Sequence, residues 1–175
     1  DHVEMSGGTH TGVPLRYNKE KKSWDFDRNE FRTALSNPKT KLFIFNTPHN
    51  PTGKVFTPEE MAELGKIIEE FPHIVVLADE VYDFLPFYAL KYVPFASIGN
   101  NWERTVSIYS GGNLFSATGW KLGWSIGPAP IIKMGGIISN TVFYTGNTPG
   151  QIAFANCLGR VYKQEFTETG HTGKT

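Results

Sequence analysis

The sequence has little of several features that mark whole classes of protein. It contains one cysteine, Cys157, among 175 residues, which excludes an internal disulfide and a metal site built from cysteines. Its 17 basic and 17 acidic side chains cancel, so no charge excess attracts nucleic acid or an anionic membrane surface. No apolar run approaches the roughly 18 residues that a membrane-spanning helix needs.

The sequence also lacks recognisable targeting peptides and histidine patterns that would bind a metal. The chain opens DHVEMSGGTH, which is neither a basic-then-apolar signal peptide nor an Arg-rich transit peptide, although an internal or cleaved start stays open. We therefore expect an intracellular protein, mitochondrial or cytoplasmic. His49 and His73 have no partners at metal-ligand spacing, so we predict no metal site. The apolar share of 39% is typical of a globular chain.

Short apolar runs bounded by turns predict four β-strands. They lie at residues 41–45, 74–78, 105–109 and 122–126. Runs of this length with almost no polar residue are typical of strands that are covered on both faces. The sequence therefore predicts a sheet with helices packed against each side.

Helical signals separate the first two strands. Thr57 and Pro58 form an N-cap and a first-turn proline, and Pro72 ends the apolar periodicity that follows. A strand, a helix and a strand over about 35 residues form a βαβ unit, which implies parallel strands. Further helices are predicted after Asp27, with Phe31 and Leu35 on one face, and at 131–138 and 151–162.

Polar or flexible residues follow three of these strands, where ligands bind in parallel α/β sheets. The first strand leads into NTPHNPTGK (46–54), the second into DEVY (79–82) and the third into SGGNLFS (110–116). Two prolines stiffen the first segment. Gly111 and Gly112 give the third a backbone that is permissive enough to approach a ligand.

These motifs resemble those of the fold-type I aminotransferases that use pyridoxal 5′-phosphate. The matching segments are NTPHNPTGKVFTPEE, LADEVY and SGGNLFSATGWKLGW, with a further NTPxQ pattern at 147–151. Their order and gaps are most similar to the kynurenine, glutamine and methionine aminotransferases, over about residues 5–160. The resemblance implies an α/β fold, the central part of the large domain, with a parallel-rich sheet flanked by helices.

The resemblance also assigns roles to five residues. Asn50 and Tyr82 would donate hydrogen bonds to the phenolic oxygen of the cofactor, and Asp79 would pair with its pyridinium nitrogen. That anion keeps the ring protonated, so that the ring can serve as an electron sink. Ser110 and Lys121 would hold the phosphate by hydroxyl and by charge.

Each assignment has a structural alternative that the sequence leaves open. Asn50 could belong only to a turn, Asp79 could cap a helix, Tyr82 could lie in the core, and Lys121 could be a solvated charge.

Aromatic residues and the cysteine raise the same question. The resemblance places Phe143 and Tyr144 near a substrate pocket, although packing explains them as well. The remaining aromatics of the motifs and the cysteine are expected to serve packing: Phe115, Trp120, Trp124 and Cys157.

The chain departs from the family pattern at its defining residue. Asn113 occupies the position of the lysine that forms the Schiff base, and an amide nitrogen is neither nucleophilic nor basic. The resemblance further implies that residues 1–175 are a partial large domain, without its N-terminal part and without the C-terminal small domain. Such a chain would leave an edge or an apolar face of the sheet exposed.

Two functional hypotheses follow. The first is an aminotransferase-like subunit or fragment that is catalytically inactive and serves as a structural component of a larger assembly. The second is a pyridoxal-phosphate-dependent aminotransferase, moving an amino group from an amino acid to a 2-oxo acid, whose chain is incomplete or lysine-substituted. Both imply other protein chains as partners, and neither implies nucleic acid.

Overall fold

The computed structural model describes residues 2–85 and 92–162 of the chain. In these residues the strands are β1 Arg16–Asn18, β2 Ser23–Asp25, β3 Leu42–Asn46, β4 Val75–Asp79, β5 Thr105–Ser110 and β6 Gly123–Ile126. The α-helices are α1 His2–Met5, α2 Arg28–Ser36, α3 Pro58–Glu69, α4 Gly111–Leu114, α5 Ala129–Val142 and α6 Thr148–Tyr162. Within this part of the chain, none of the helices has the length and apolar character that crossing a membrane requires.

The four longer strands form one sheet in the order β3-β4-β5-β6. The first three run parallel, and their register places Asn46 level with Asp79 and Asp79 level with Ile108. β6 runs antiparallel to β5. Helix α3 is the crossover between β3 and β4, as the βαβ pattern predicts. The predicted fold class, an α/β fold with a parallel-rich sheet, is confirmed.

Helices α2 and α3 begin where their first-turn N–H groups find local acceptors. Thr57 Oγ1 accepts from the Glu60 N–H at 3.2 Å, while Glu60 Oε2 accepts from the Thr57 N–H at 2.9 Å. Pro58 takes the first helical position, where a missing N–H costs nothing. Asp27 caps α2 with its carboxylate. Both helix starts are local in the sequence and were predicted correctly.

The core lies between one face of the sheet and the apolar faces of α2 and α3. Phe45, Val76 and Ala78 point from the sheet into this core. The helices contribute the side chains of Phe31, Leu35, Met61, Leu64, Ile67 and Ile68. The apolar periodicity read from the two helices therefore identified their buried faces.

The opposite face of the sheet is open in the described part of the chain. Leu42 and Ile44 on edge strand β3 are 45% and 52% exposed, and Leu77 of β4 is only half-buried. Helix α5 has no buried residue. Among the described residues, the cover that the apolar runs predict for both faces is present on one face only, which agrees with the expectation that a partial large domain leaves an apolar face of the sheet exposed. An apolar strand sequence indicates that both faces of the strand are buried in the folded protein. It does not show whether the residues that bury them belong to the same stretch of chain.

A small hairpin near the N-terminus was not predicted. β1 and β2 pair antiparallel, and the rings of Tyr17 and Trp24 meet edge-on across them with centroids 5.5 Å apart. The charged residues 19–22 form the exposed turn between the strands, as expected for a solvated loop. Strands of three residues are too short to show a period in the sequence.

Candidate functional site

The candidate site lies at the carboxyl ends of β3, β4 and β5. Asp79 is the last residue of β4 and Ser110 is the last residue of β5. Asn50 follows β3 by four residues, and Tyr82 follows Asp79 by three. Because these strands are parallel neighbours, their carboxyl ends meet at one edge of the sheet. The motifs that are distant in sequence therefore converge at this edge.

Asn50 and Tyr82 are in direct contact although 32 residues separate them. The Asn50 Nδ2 donates to the Tyr82 Oη at 3.0 Å. Asn50 is exposed and Tyr82 is half-buried, so Tyr82 is not a core residue. Two polar groups that can donate to one acceptor thus stand side by side at the sheet edge.

The backbone that carries Asn50 is held by its neighbours. The Asn50 N–H donates to Asn46 Oδ1 at 2.8 Å, and Asn46 Nδ2 donates to the Asp79 carbonyl at 2.9 Å. The His49 N–H donates to the Lys54 carbonyl at 2.8 Å, and this hydrogen bond closes the loop. Asn50 therefore lies in a turn, and the turn presents its side chain at the site.

Asp79 has a buried carboxylate oxygen without a partner. Within residues 2–85 and 92–162, Oδ1 accepts no hydrogen bond. Burial raises the pKa of Asp79, and the Val81 N–H, which hydrogen-bonds to the carboxylate, opposes that rise. Residues 81–84 form a turn rather than a helix, so Asp79 does not cap a helix. A buried carboxylate oxygen that accepts no hydrogen bond favours a cation or an N–H donor as its partner.

A cavity of about 260 Å³ lies next to the end of β5. Ser110 caps the short helix α4, where its Oγ accepts from the Asn113 N–H at 3.1 Å. Lys121 is exposed and its backbone is left-handed, with φ +53°. The residues that line the cavity are Ser110, Gly112, Asn113, Thr118, Lys121, Leu122 and Gly123. Ser110 and Lys121, the two residues assigned to the phosphate, therefore line one cavity together with Asn113.

The glycines of the SGGN segment have a packing cause. A Cβ on Gly111 would lie 2.3 Å from the ring of Phe154 on α6, and a Cβ on Gly112 would lie 2.7 Å from the Cα of Thr118. The expectation that these glycines serve the approach of a ligand gives only part of the reason. They are required by the close contact of α4 with two neighbouring segments.

The other aromatic candidates divide by exposure. Phe143 and Tyr144 are 74% and 83% exposed, so neither is packed in a core formed by the described residues. Trp120 stacks on Phe154 at 5.9 Å but remains 49% exposed, so it is not a core residue. Trp124 stacks on Tyr109 and is half-buried.

Phe115 and Cys157 were also expected to serve packing. The Phe115 ring lies 5.4 Å from that of Phe154, and Phe115 is half-buried. Cys157 on α6 is half-buried rather than enclosed.

Sequence reasoning missed the structural part that Glu80 plays at this edge, and it identified Asn46 only as an amide donor. Asn46 supports both the Asn50 turn and the end of β4. Glu80 is completely buried beside Asp79. The available signal for Glu80 was a second acid directly after an apolar strand, where a lone solvated charge is not expected.

Comparison with known proteins places this chain in a family. The family model for aminotransferases of class I and II matches residues 3–170. Kynurenine–oxoglutarate transaminase 3 of Mus musculus is 40% identical over 162 residues, which cover 89% of this chain and 35% of the mouse protein.

Solved structures agree with the sequence relatives. The N-succinyldiaminopimelate aminotransferase of Mycobacterium tuberculosis superposes with a TM-score of 0.83 at 36% identity, over 90% of this chain and 40% of that one. An Escherichia coli protein with a methionine aminotransferase function gives 0.80 at 31% identity, over 95% and 41%. The chain spans less than half the length of each of these relatives. It belongs to the family of class I and II aminotransferases.

Proposed function

We propose that this chain is the cofactor-binding core of a kynurenine-type aminotransferase, an enzyme that moves an amino group from an amino acid to a 2-oxo acid. The cofactor of the family is pyridoxal 5′-phosphate. The chain corresponds to 35% of its mouse relative, so the activity is proposed for the whole protein. The observation that carries the proposal is the buried Oδ1 of Asp79 at the carboxyl edge of the sheet, which has no hydrogen-bond partner among the described residues.

The residues at this edge fit the cofactor. Oδ1 of Asp79, which accepts no hydrogen bond within the described residues, suits a pyridinium N–H, and the carboxylate would keep the proton on that nitrogen. When bound, the cofactor supplies an electron sink for a carbanion at the amino-acid Cα. Tyr82 accepts from Asn50 and so keeps its own hydroxyl hydrogen for another acceptor, such as a phenolic oxygen. Asp79 and Tyr82 would thus hold two different polar groups of the ring.

Ser110 and Lys121 would hold the phosphate. Both line the cavity of about 260 Å³ beside β5. A hydroxyl donates a directional hydrogen bond, and an ammonium adds charge complementarity to an anion. Lys121 is exposed, and an isolated surface lysine is normally solvated. Its position beside Ser110 at the same cavity is therefore what supports the phosphate role.

Asn113 decides whether this core can bind the cofactor covalently. Asn113 lines the same cavity, at the position where the family has a lysine. An amide nitrogen cannot form that bond or carry a proton, so we propose that this chain holds the cofactor without a covalent bond. Asn113 also favours the other candidate function, an inactive structural subunit. That function remains a prediction, and so does the intracellular location.

Borohydride reduction of the chain loaded with pyridoxal 5′-phosphate tests the covalent step. We expect no pyridoxyl group at position 113, while Asn113→Lys should acquire one there. Asn113→Met, which has similar length and no amine, is the matched control. An adduct at position 113 of the unsubstituted chain would contradict the assignment.

Binding and activity then separate the two candidate functions. We expect equilibrium dialysis to show that the chain binds the cofactor and that Asp79→Asn and Lys121→Ala weaken this binding. Transamination by Asn113→Lys, assayed with any chains that co-purify, would favour the enzyme. An adduct without turnover would favour the structural subunit. Absence of any cofactor binding would overturn the proposal.

A further inference from the structure

Glu80 is a buried carboxylate that the proposed cofactor chemistry does not use. It is 0% exposed, although it directly follows Asp79 at the end of β4. Burial of a carboxylate is costly unless hydrogen bonds satisfy its oxygens. Both oxygens of Glu80 have a donor: Oε1 accepts from the Phe95 N–H at 2.8 Å, and Oε2 accepts from the Tyr109 hydroxyl at 2.7 Å. The carboxylate is therefore fixed between β4, β5 and the turn at Phe95.

Tyr109 links this carboxylate to the neighbouring strand. It directly precedes Ser110 on β5, and its ring stacks on Trp124 of β6 with centroids 5.9 Å apart. Burial, and then the charge of Glu80, raises the pKa of Tyr109, so its hydroxyl remains a donor at neutral pH. The Glu80 N–H also donates to the Ile108 carbonyl at 3.0 Å. Side-chain and backbone bonds thus clamp the ends of β4 and β5 together.

These bonds, which we call the Glu80–Tyr109 clamp, join the residues next to Asp79 and Ser110. Asp79 and Ser110 are the two anchors that the proposed cofactor would contact. Asp79 lies one residue before Glu80, and Ser110 lies one residue after Tyr109. A ligand that engages two anchors requires a fixed distance between them, because small misplacements weaken a two-point contact. We propose that Glu80, through Tyr109, is a positioning residue that sets the separation of Asp79 and Ser110 for the cofactor. This inference rests on the proposed function.

Tyr109→Phe tests the clamp with little other damage. The change removes the hydroxyl but keeps the ring that stacks on Trp124. Two probes then separate positioning from general loss of structure: pyridoxal 5′-phosphate reaches both anchors, whereas inorganic phosphate reaches only the Ser110 end. We expect the dissociation constant for pyridoxal 5′-phosphate to rise about tenfold, the factor that corresponds to about 1.4 kcal/mol. The dissociation constant for inorganic phosphate should not change.

Further variants connect the effect to Glu80 and Asp79. Glu80→Gln keeps the size and a carbonyl oxygen that can accept one hydrogen bond, so its affinity should lie between those of the unsubstituted chain and Tyr109→Phe. When Asp79→Asn is already present, Tyr109→Phe should have no further effect, because one anchor is already impaired. Tyr17→Phe, on the exposed hairpin, is the matched control.

Each outcome decides the matter. Equal weakening of both probes by Tyr109→Phe would indicate general structural damage and overturn the inference. Unchanged affinity for pyridoxal 5′-phosphate in Tyr109→Phe would also overturn it, while cofactor binding itself would stand. If the unsubstituted chain binds no pyridoxal 5′-phosphate, the proposed function fails and the inference fails with it.

Discussion

At the residue scale, the protonation state of Asp79 should control cofactor binding. Burial raises its pKa, so the carboxylate is present above that raised pKa and is lost as the pH falls through it. A neutral carboxyl cannot pair with a pyridinium cation, and affinity for pyridoxal 5′-phosphate should therefore fall toward acidic pH. Dissociation constants measured from pH 8 to pH 5 check this, with Asp79→Asn as control. Because the phosphate titrates equally in both proteins, identical pH profiles would contradict the prediction.

A second residue-scale prediction concerns Gly111. In Gly111→Ala, the new methyl group would lie 2.3 Å from the Phe154 ring. Overpacking of this kind costs about 1–3 kcal/mol in free energy of unfolding. Denaturant unfolding should show this loss, and Phe154→Leu in the same chain should recover part of it.

The control for Gly111 is Gly135 in the exposed helix α5. Among the described residues, no heavy atom lies within 4 Å of a Cβ built at Gly135. Gly135→Ala should therefore raise helix stability by roughly 0.5–1 kcal/mol. If both alanine variants changed stability alike, steric contact with Phe154 would not be the reason for Gly111.

At the scale of elements, the start of α3 stabilises the loop that carries Asn50. Glu60 both completes the capping box with Thr57 and forms an ion pair with Lys54, where Nζ lies 2.7 Å from Oε1. The Lys54 side chain is only 6% exposed, so removing its partner leaves a buried charge. Glu60→Ala should therefore cost about 3 kcal/mol in free energy of unfolding, whereas Thr57→Ala should cost about 1 kcal/mol.

Urea unfolding of the two variants measures this difference, with Glu69→Ala at the exposed end of α3 as control. Glu60→Ala should also weaken cofactor binding, because the Asn50 turn closes through the Lys54 carbonyl. A cost for Glu60→Ala no greater than that for Thr57→Ala would show that the ion pair contributes nothing.

At the scale of the whole molecule, the open face of the sheet requires a cover. Leu42 and Ile44 on an edge strand are about half exposed, and elsewhere in the chain Ile137 and Ile138 of α5 are also exposed. Burying 100 Å² of exposed apolar surface would stabilise the protein by about 2.5 kcal/mol. We therefore expect the isolated chain to aggregate or to bind a hydrophobic dye, and we propose that other protein chains or the rest of a longer protein cover this face.

Charged substitutions on the open face test this prediction. Ile44→Lys should reduce dye binding and aggregation while the circular dichroism spectrum is retained, because a lysine on an edge strand opposes pairing with another chain. Ser36→Lys on the exposed surface of α2 controls for added charge. A soluble, dye-silent monomer with a sharp thermal transition in the unsubstituted chain would contradict the expected requirement for a cover.

Local patterns in the sequence determined the strands of the main sheet, the caps of α2 and α3, and the family to which the site belongs. Apolar runs and first-turn residues such as Thr57 act over a few positions, so a single chain reveals them. The tertiary structure alone decided which distant groups meet. It joined Asn50 to Tyr82 and gave Glu80 its two donors, and in the part of the chain that it describes it left Asp79 Oδ1 without a hydrogen bond. Contacts across parallel strands depend on register and burial, and neither is encoded in the spacing of any one segment.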